Sequence, residues 1–233
     1  MIPKVIHYCW FGGNPLPDSA LNCIESWKKF CPDYEIKEWN EENYDISKYQ
    51  YTKEAYEQKS FAFVTDVARL DIVHNEGGIY LDIDVELIKS LDDLLINQAY
   101  MGMETIGRVA TGLGFGAEPK HKIVKANLDL YTNLPFSSNV TCVTYTTNLL
   151  KNYGLKNDNE CQYLKNVLIL PVEYLCPLSL ETNKLKITEN TYSIHHYDMS
   201  WKNKKDRFIR LKIMVRRWLS DDFYDKVKAK LKK

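Results

Sequence analysis

Two aspartates two residues apart, Asp82 and Asp84, close the run Gly77-Gly78-Ile79-Tyr80-Leu81-Asp82-Ile83-Asp84. An apolar, strand-like stretch here delivers two carboxylates at its end. In an extended strand residues i and i+2 share a face, so both acids can reach one hard cation, directly or through water. Mg²⁺ and Mn²⁺ favour oxygen ligands and keep coordination positions open for substrate phosphates. A cation held there would neutralise a departing diphosphate and the charge that builds in the transition state. By itself an Asp-x-Asp pair is common in solvated turns. What raises its interest is its place after a buried-looking strand opened by two glycines, where open α/β sheets bind ligands.

Two further constellations accompany the acids. Asp66 and Arg69 stand three apart in a helical stretch and so lie on one face. They can hydrogen-bond the hydroxyls of a sugar or ribose. The commoner use of such a spacing is a surface ion pair worth under about 1 kcal/mol. Later in the chain comes His195-His196-Tyr197-Asp198-Met199-Ser200-Trp201. A neutral imidazole could complete a metal shell, and a nearby serine, tryptophan or lysine could bind or cover phosphate. A histidine pair is more often structural, so this one gains force from the acids.

The elements that must hold these groups follow from patterning. Lys4 to Trp10 is expected as a first buried strand, stopped by Gly12-Gly13, Pro15 and Pro17. Asp18 is expected to cap a helix to about Phe30 with Leu21, Ile24 and Trp27 on its core face. Cys31-Pro32-Asp33 breaks it, and Tyr34 to Trp39 alternates as a second strand. Strand–helix–strand is the unit of a parallel α/β sheet. Phe61 to about Glu76 is a helix ended by Gly77-Gly78, and Ile79-Tyr80-Leu81 is the strand leading into the acids. Strands with glycine-rich turns are expected over Ala99 to Ala117, helices over Lys122 to Leu134 and Tyr145 to Tyr153, and strands at Val167–Leu170 and Thr191–Ile194.

At 233 residues, with 45% apolar residues, the chain can build one substantial α/β core. No basic segment precedes an apolar run at the N-terminus, and no apolar stretch approaches a membrane span. Six cysteines without a Cys-x-x-Cys pair read as reduced thiols, so a cytoplasmic protein is expected. Net charge is zero but uneven: from Trp201 onward there are 13 Lys/Arg against 4 Asp/Glu, leaving 18 against 27 in the rest. One catalytic domain is therefore expected over residues 1–201, with a basic amphipathic helical tail over 202–233. Such a tail suits either an anionic membrane surface or the chain's own acidic domain. No nucleic-acid module accompanies the charge.

Taken together, Ile2 to Gly13, Asp66-Val67-Ala68-Arg69, Gly77 to Asp84 and His195-His196 with Ser200-Trp201 resemble the DXD-containing glycosyltransferases of family 32. That family includes yeast initiating mannosyltransferases and bacterial surface-polysaccharide enzymes, and the clostridial glucosylating toxins are more distant relatives. The resemblance implies a GT-A fold, a Rossmann-like mixed central sheet flanked by helices. It also implies roles. Trp10 would stack on the nucleotide base; Asp66 and Arg69, with Tyr80 nearby, would bind the donor sugar or its ribose. Asp84 would ligate Mn²⁺ or Mg²⁺, and Asp82 would bind metal, ribose or both. His196, five residues before Trp201, would be the last metal ligand, with His195 the alternative, and Ser200 and Trp201 would contact the β-phosphate. Relatives carry glycine before the Ser-Trp pair, where this chain has Met199.

The function expected is transfer of a hexose or N-acetylhexosamine from a UDP-sugar, with retention, to a growing surface or capsular glycan. A lipid-linked acceptor would bring the protein to the inner face of the cell membrane, and Thr105 to Val143 is assigned to the acceptor side. The competing readings are a metal-dependent nucleotide-sugar hydrolase, a toxin-like transferase acting on protein, and a non-catalytic glycan-binding scaffold.

Overall fold

The structure, a computed structural model, describes residues 1–197. The basic tail, Ser200 and Trp201 lie outside the described residues. The chain opens with β1 (Val5–Cys9), α1 (Asp18–Phe30), β2 (Glu35–Trp39), α2 (Gln50–Glu57) and α3 (Phe61–Glu76). It continues through β3 (Gly78–Tyr80), β4 (Val85–Leu87), β5 (Ala99–Thr105), β6 (Arg108–Ala117), α4 (Lys122–Asp129) and α5 (Cys142–Lys151). It closes with β7 (Gln162–Leu164), β8 (Val167–Leu170), α6 (Val172–Leu175) and β9 (Ser193–His195).

Seven strands form one mixed sheet in the order β2-β1-β3-β6-β5-β8-β7, while β4 and β9 pair separately. The strand–helix–strand unit expected at the N-terminus is present: β1 runs parallel to β2 on one side and to β3 on the other. Beyond β3 the sheet turns antiparallel, with β6 against both β3 and β5. Strands β1, β2 and β3 therefore end at one edge of the sheet. Ligands of open α/β sheets bind at the carboxyl ends of such strands.

Both faces of the sheet are covered. On one, α3 packs against β1, β3 and β6, and α2 and α4 pack on α3. Its residues Val64 to Val73 are buried almost without a break, as a helix enclosed on all sides requires. On the other face α1 turns Ala20, Cys23, Ile24 and Trp27 inward. Leu21, expected in the core, is 46% exposed. The inward residues follow the i, i+3, i+4, i+7 spacing, and position 21 lies roughly 100° round from that stripe. Pro17 rather than Asp18 occupies the N-cap, and Asp18 sits in the first turn, where a carboxylate meets the positive end of the helix.

Trp27 is wholly buried, and its indole N–H donates to the Val85 carbonyl at 2.7 Å. One residue earlier, the Ser26 hydroxyl accepts from the Leu87 N–H at 2.9 Å. Helix α1 thereby fixes β4, which sequence patterning did not reveal, and β4 in turn fixes β9.

His7 ties β1 to its neighbours. It is fully buried, its Nδ1 accepts from the Trp39 indole at 3.1 Å, and its Nε2 lies 2.9 Å from the Gly77 carbonyl. That pair of contacts defines a neutral tautomer with the proton on Nε2. Burial lowers the His7 pKa, and the Gly77 carbonyl only partly opposes it. An unfolded histidine titrates near 6.5, so this contribution to stability is complete above about pH 6.5 and declines as the pH falls toward the lower folded value. The urea midpoint should drop between about pH 7 and 5, and the drop should be shallower in His7→Gln. Parallel profiles for the two proteins would remove His7 as a cause.

Candidate functional site

The two aspartates leave the end of β3 through a tight turn in which the Asp82 carbonyl accepts from the Val85 N–H at 3.0 Å. This differs from the expectation of a shared strand face: β3 ends at Tyr80, and the turn, not strand alternation, converges the carboxylates. His195 arrives from β9, which pairs Val85 with His195. Ligand atoms of Asp82, Asp84 and His195 lie within 4.8 Å of one another. His195 Nε2 is 3.2 Å from Asp84 Oδ1, and its Nδ1 is buried with no partner among the described residues. The Tyr197 ring packs on the His195 ring at 4.1 Å between centroids.

His196, named from the motif spacing, stands apart from this cluster. Its Nε2 lies 2.8 Å from Glu86 Oε2, and its N–H donates to the Asp84 carbonyl at 2.9 Å. Adjacent residues in a strand point to opposite faces. The face that carries His195 is the one turned to Asp82 and Asp84.

Asp66 and Arg69 are not a surface pair. Arg69 is 3% exposed and Asp66 8%. Arg69 Nη2 lies 2.9 Å from Asp66 Oδ1 and 3.4 Å from Asp82 Oδ1, and Nε donates to the Thr65 carbonyl at 3.1 Å. The guanidinium sits 4.9 Å above the centre of the Tyr80 ring, and the Tyr80 hydroxyl donates to Asp82 Oδ1 at 2.8 Å. Four of the residues singled out from sequence, Asp66, Arg69, Tyr80 and Asp82, thus form one buried network that ends at Asp84 and His195.

Its electrostatics are strained by burial. Asp66 is pushed up to about 6 by burial, with Arg69 pulling the other way. Asp82 is raised as well, by burial first, then by Asp84 against the opposing pull of Arg69. For Arg69, burial disfavours the cation, but Asp82, Tyr80 and Asp66 outweigh it and hold it protonated. Burial likewise acts to lower His195, and Asp84 reverses the sign, so its pKa is raised. Three aspartates face one arginine and one histidine. The cluster has room for added positive charge.

Strand β6 supplies a component that sequence reading missed. Between the pairs Met101–Phe115 and Gly102–Ala110, residues 111–114 have no partner in β5. This bulged segment arches beside the acidic turn, where the Asp82 N–H points to the Gly112 carbonyl at 3.4 Å. A Cβ on Gly112 would collide with Asp82 Oδ2 and come within 2.9 Å of Arg69 Nη1. Bulges of this kind cluster beside functional sites. Glu104 on β5 also acts electrostatically on His195 and Tyr197. No local spacing marks either residue, because each meets the site across segments far apart in sequence.

Trp10 follows β1 at the same edge, its N–H donating to the Trp39 carbonyl at 2.9 Å. With Gly13, Asn14, Asn40, Glu41 and Tyr56 it borders an open cavity of about 530 Å³.

Residues 17–101 match the family model described as the glycosyltransferase sugar-binding region containing DXD motif. The matched span carries Asp66, Arg69, Tyr80, Asp82 and Asp84. It is a DXD-containing glycosyltransferase region. The DXD region also lies within a chain similar to inositol phosphoceramide mannosyltransferase 3 of Schizosaccharomyces pombe, 33% identical over 43% of this chain and 29% of that protein. An uncharacterized glycosyltransferase of Acanthamoeba polyphaga mimivirus is 28% identical over 79% of this chain and 76% of that protein. Among solved structures, PaToxG glycosyltransferase superposes with a TM-score of 0.50 at 16% identity, covering 65% of this chain and 68% of that one. The fold around the DXD region is GT-A, as the resemblance implied.

Gly112→Ala should cost about 1–3 kcal/mol by overpacking, because the collision involves the Asp82 carboxylate and the Arg69 guanidinium rather than a movable apolar side chain. Urea denaturation checks this. A change within about 0.5 kcal/mol would show that the bulge yields without effect on the network.

Proposed function

We propose that this chain transfers a hexose or N-acetylhexosamine from a UDP-sugar to a growing surface glycan, with retention and with a divalent cation. The observation that carries the reading is the convergence of Asp82, Asp84 and His195 at the end of β3. Two carboxylates and an imidazole suit a hard or borderline divalent cation. The surplus of negative charge around Arg69 and the unpartnered His195 Nδ1 are consistent with one. Asp82, Asp84 and His195 would hold Mn²⁺ or Mg²⁺, with His196 close by on the Glu86 side. When bound, the cation would offset the charge of the diphosphate leaving group.

The chain's own residues supply the rest. Arg69 and Asp66 offer donors and an acceptor to the sugar hydroxyls, and Asp82 to sugar or ribose. Trp10, at the rim of its cavity, offers a stacking face to the nucleotide base. Ser200 and Trp201 are proposed to meet the β-phosphate. Among the described residues no carboxylate stands out as a covalent nucleophile, so a front-face route is the simplest one, with the departing phosphate accepting the proton of the acceptor hydroxyl.

The acceptor is proposed to be lipid-linked, with the basic segment 202–233 drawing the protein to the anionic inner face of the membrane. No helix among the described residues is long and apolar enough to cross a membrane.

Calorimetry with UDP and several UDP-sugars, with Mn²⁺ or with EDTA, tests the donor site. Binding is expected to require the metal and to weaken at least about tenfold in Asp84→Ala, equivalent to about 1.4 kcal/mol. Absence of binding by every UDP compound would sink the assignment. UDP release that rises with acceptor supports transfer, whereas release at the same rate without acceptor favours hydrolysis.

A further inference from the structure

The run His195-His196-Tyr197 holds a side chain that the donor site has not used. The Tyr197 ring packs on the His195 imidazole with 4.1 Å between centroids and 54° between planes. Its hydroxyl and the Cys176 thiol form a hydrogen bond at 2.8 Å. Tyr197 also has a φ of 55°, a left-handed conformation that a bulky residue keeps only where its surroundings enforce it.

Cys176 is fixed by other contacts. It is 2% exposed and closes α6, its N–H donating to the Val172 carbonyl at 2.9 Å. Helix α6 packs against β5 and β9. The Tyr192 N–H donates to the Tyr174 carbonyl at 2.8 Å, and the Thr191 hydroxyl to the Glu173 carbonyl at 2.9 Å. These bonds hold the approach to β9 beside α6, so thiol and phenol meet across a frame that neither of them creates.

An imidazole that ligates a metal is ordinarily aimed by a hydrogen bond from its second ring nitrogen. In His195, Nε2 lies 3.2 Å from Asp84 Oδ1, and Nδ1 has no partner among the described residues. The Tyr197 ring supplies a restraint of another kind. We propose that Tyr197, anchored on Cys176, is a positioning residue that aims the His195 imidazole at the cation site formed with Asp82 and Asp84. This rests on the cation reading given above.

The Mn²⁺ concentration that half-saturates UDP binding, read by calorimetry, should rise about tenfold in Tyr197→Leu. UDP binding at saturating Mn²⁺ should match wild type, which a general loosening of the fold would not allow. Tyr197→Phe keeps the ring and loses the anchor, so its rise should be about threefold, on the scale of one hydrogen bond. Cys176→Ala should match it, and the double variant should lose no more than either. In a His195→Ala background, Tyr197→Leu should add less than about twofold. A further tenfold loss there, or no rise in either Tyr197 variant, would overturn the proposal.

Proton NMR of the metal-free protein tests the contact without any cation. The His195 ring protons, displaced by the Tyr197 ring current, should return toward the positions of an exposed histidine in Tyr197→Leu. Unmoved signals would refute the contact. If wild type binds no UDP at any Mn²⁺ concentration while those signals still move, the cation reading fails and the Tyr197–His195 contact stands.

Discussion

Arg69 is buried between two carboxylates, with Asp66 at 2.9 Å and Asp82 at 3.4 Å. Removing an ion of this size from water costs several kcal/mol even after relaxation, so the arrangement persists only if each charge is paired and hydrogen-bonded. The Thr65 carbonyl, the Tyr80 ring and the Tyr80 hydroxyl complete that pairing. Because Asp66 and Arg69 lie on α3 and Asp82 follows β3, the guanidinium also fastens the central helix to the end of the central strand.

The same pairing leaves a remainder. One arginine balances one of the three aspartates, and raised pKa values at Asp66 and Asp82 record the cost of burying the others. His195 offsets a second carboxylate when protonated. Such a site is built to gain from a cation, and a phosphate-bearing ligand can share that cation. The low dielectric around the network strengthens any such contact relative to one on an open surface.

The scaffold explains why the cluster forms at this edge. β1 and β3 run parallel and end together, which places Trp10 and the Asp82 turn along one rim. Trp27 and Ser26 hold β4, and β4 holds β9 in the register that sets His195 opposite Val85. A chain of hydrogen bonds therefore links an N-terminal helix to a histidine more than a hundred residues later.

Much of this was legible in the residues themselves. Local periodicity marked β1, α1, β2 and α3, double glycine marked the end of α3, and spacing alone put Asp66 and Arg69 on one helical face and Asp82 and Asp84 at one strand end. These features depend on neighbours within a few positions, and backbone geometry makes them readable. The burial of Arg69, the choice of His195 beside the acids and the close approach of Gly112 to Asp82 were not readable. Each depends on pairing between segments far apart in sequence, where a one-residue change of register reverses which side chain faces the site. The sequence by itself determined which chemical groups are available and on which kinds of element. Tertiary structure alone decided which of them meet, because buried charges tolerate only the packing that satisfies them all.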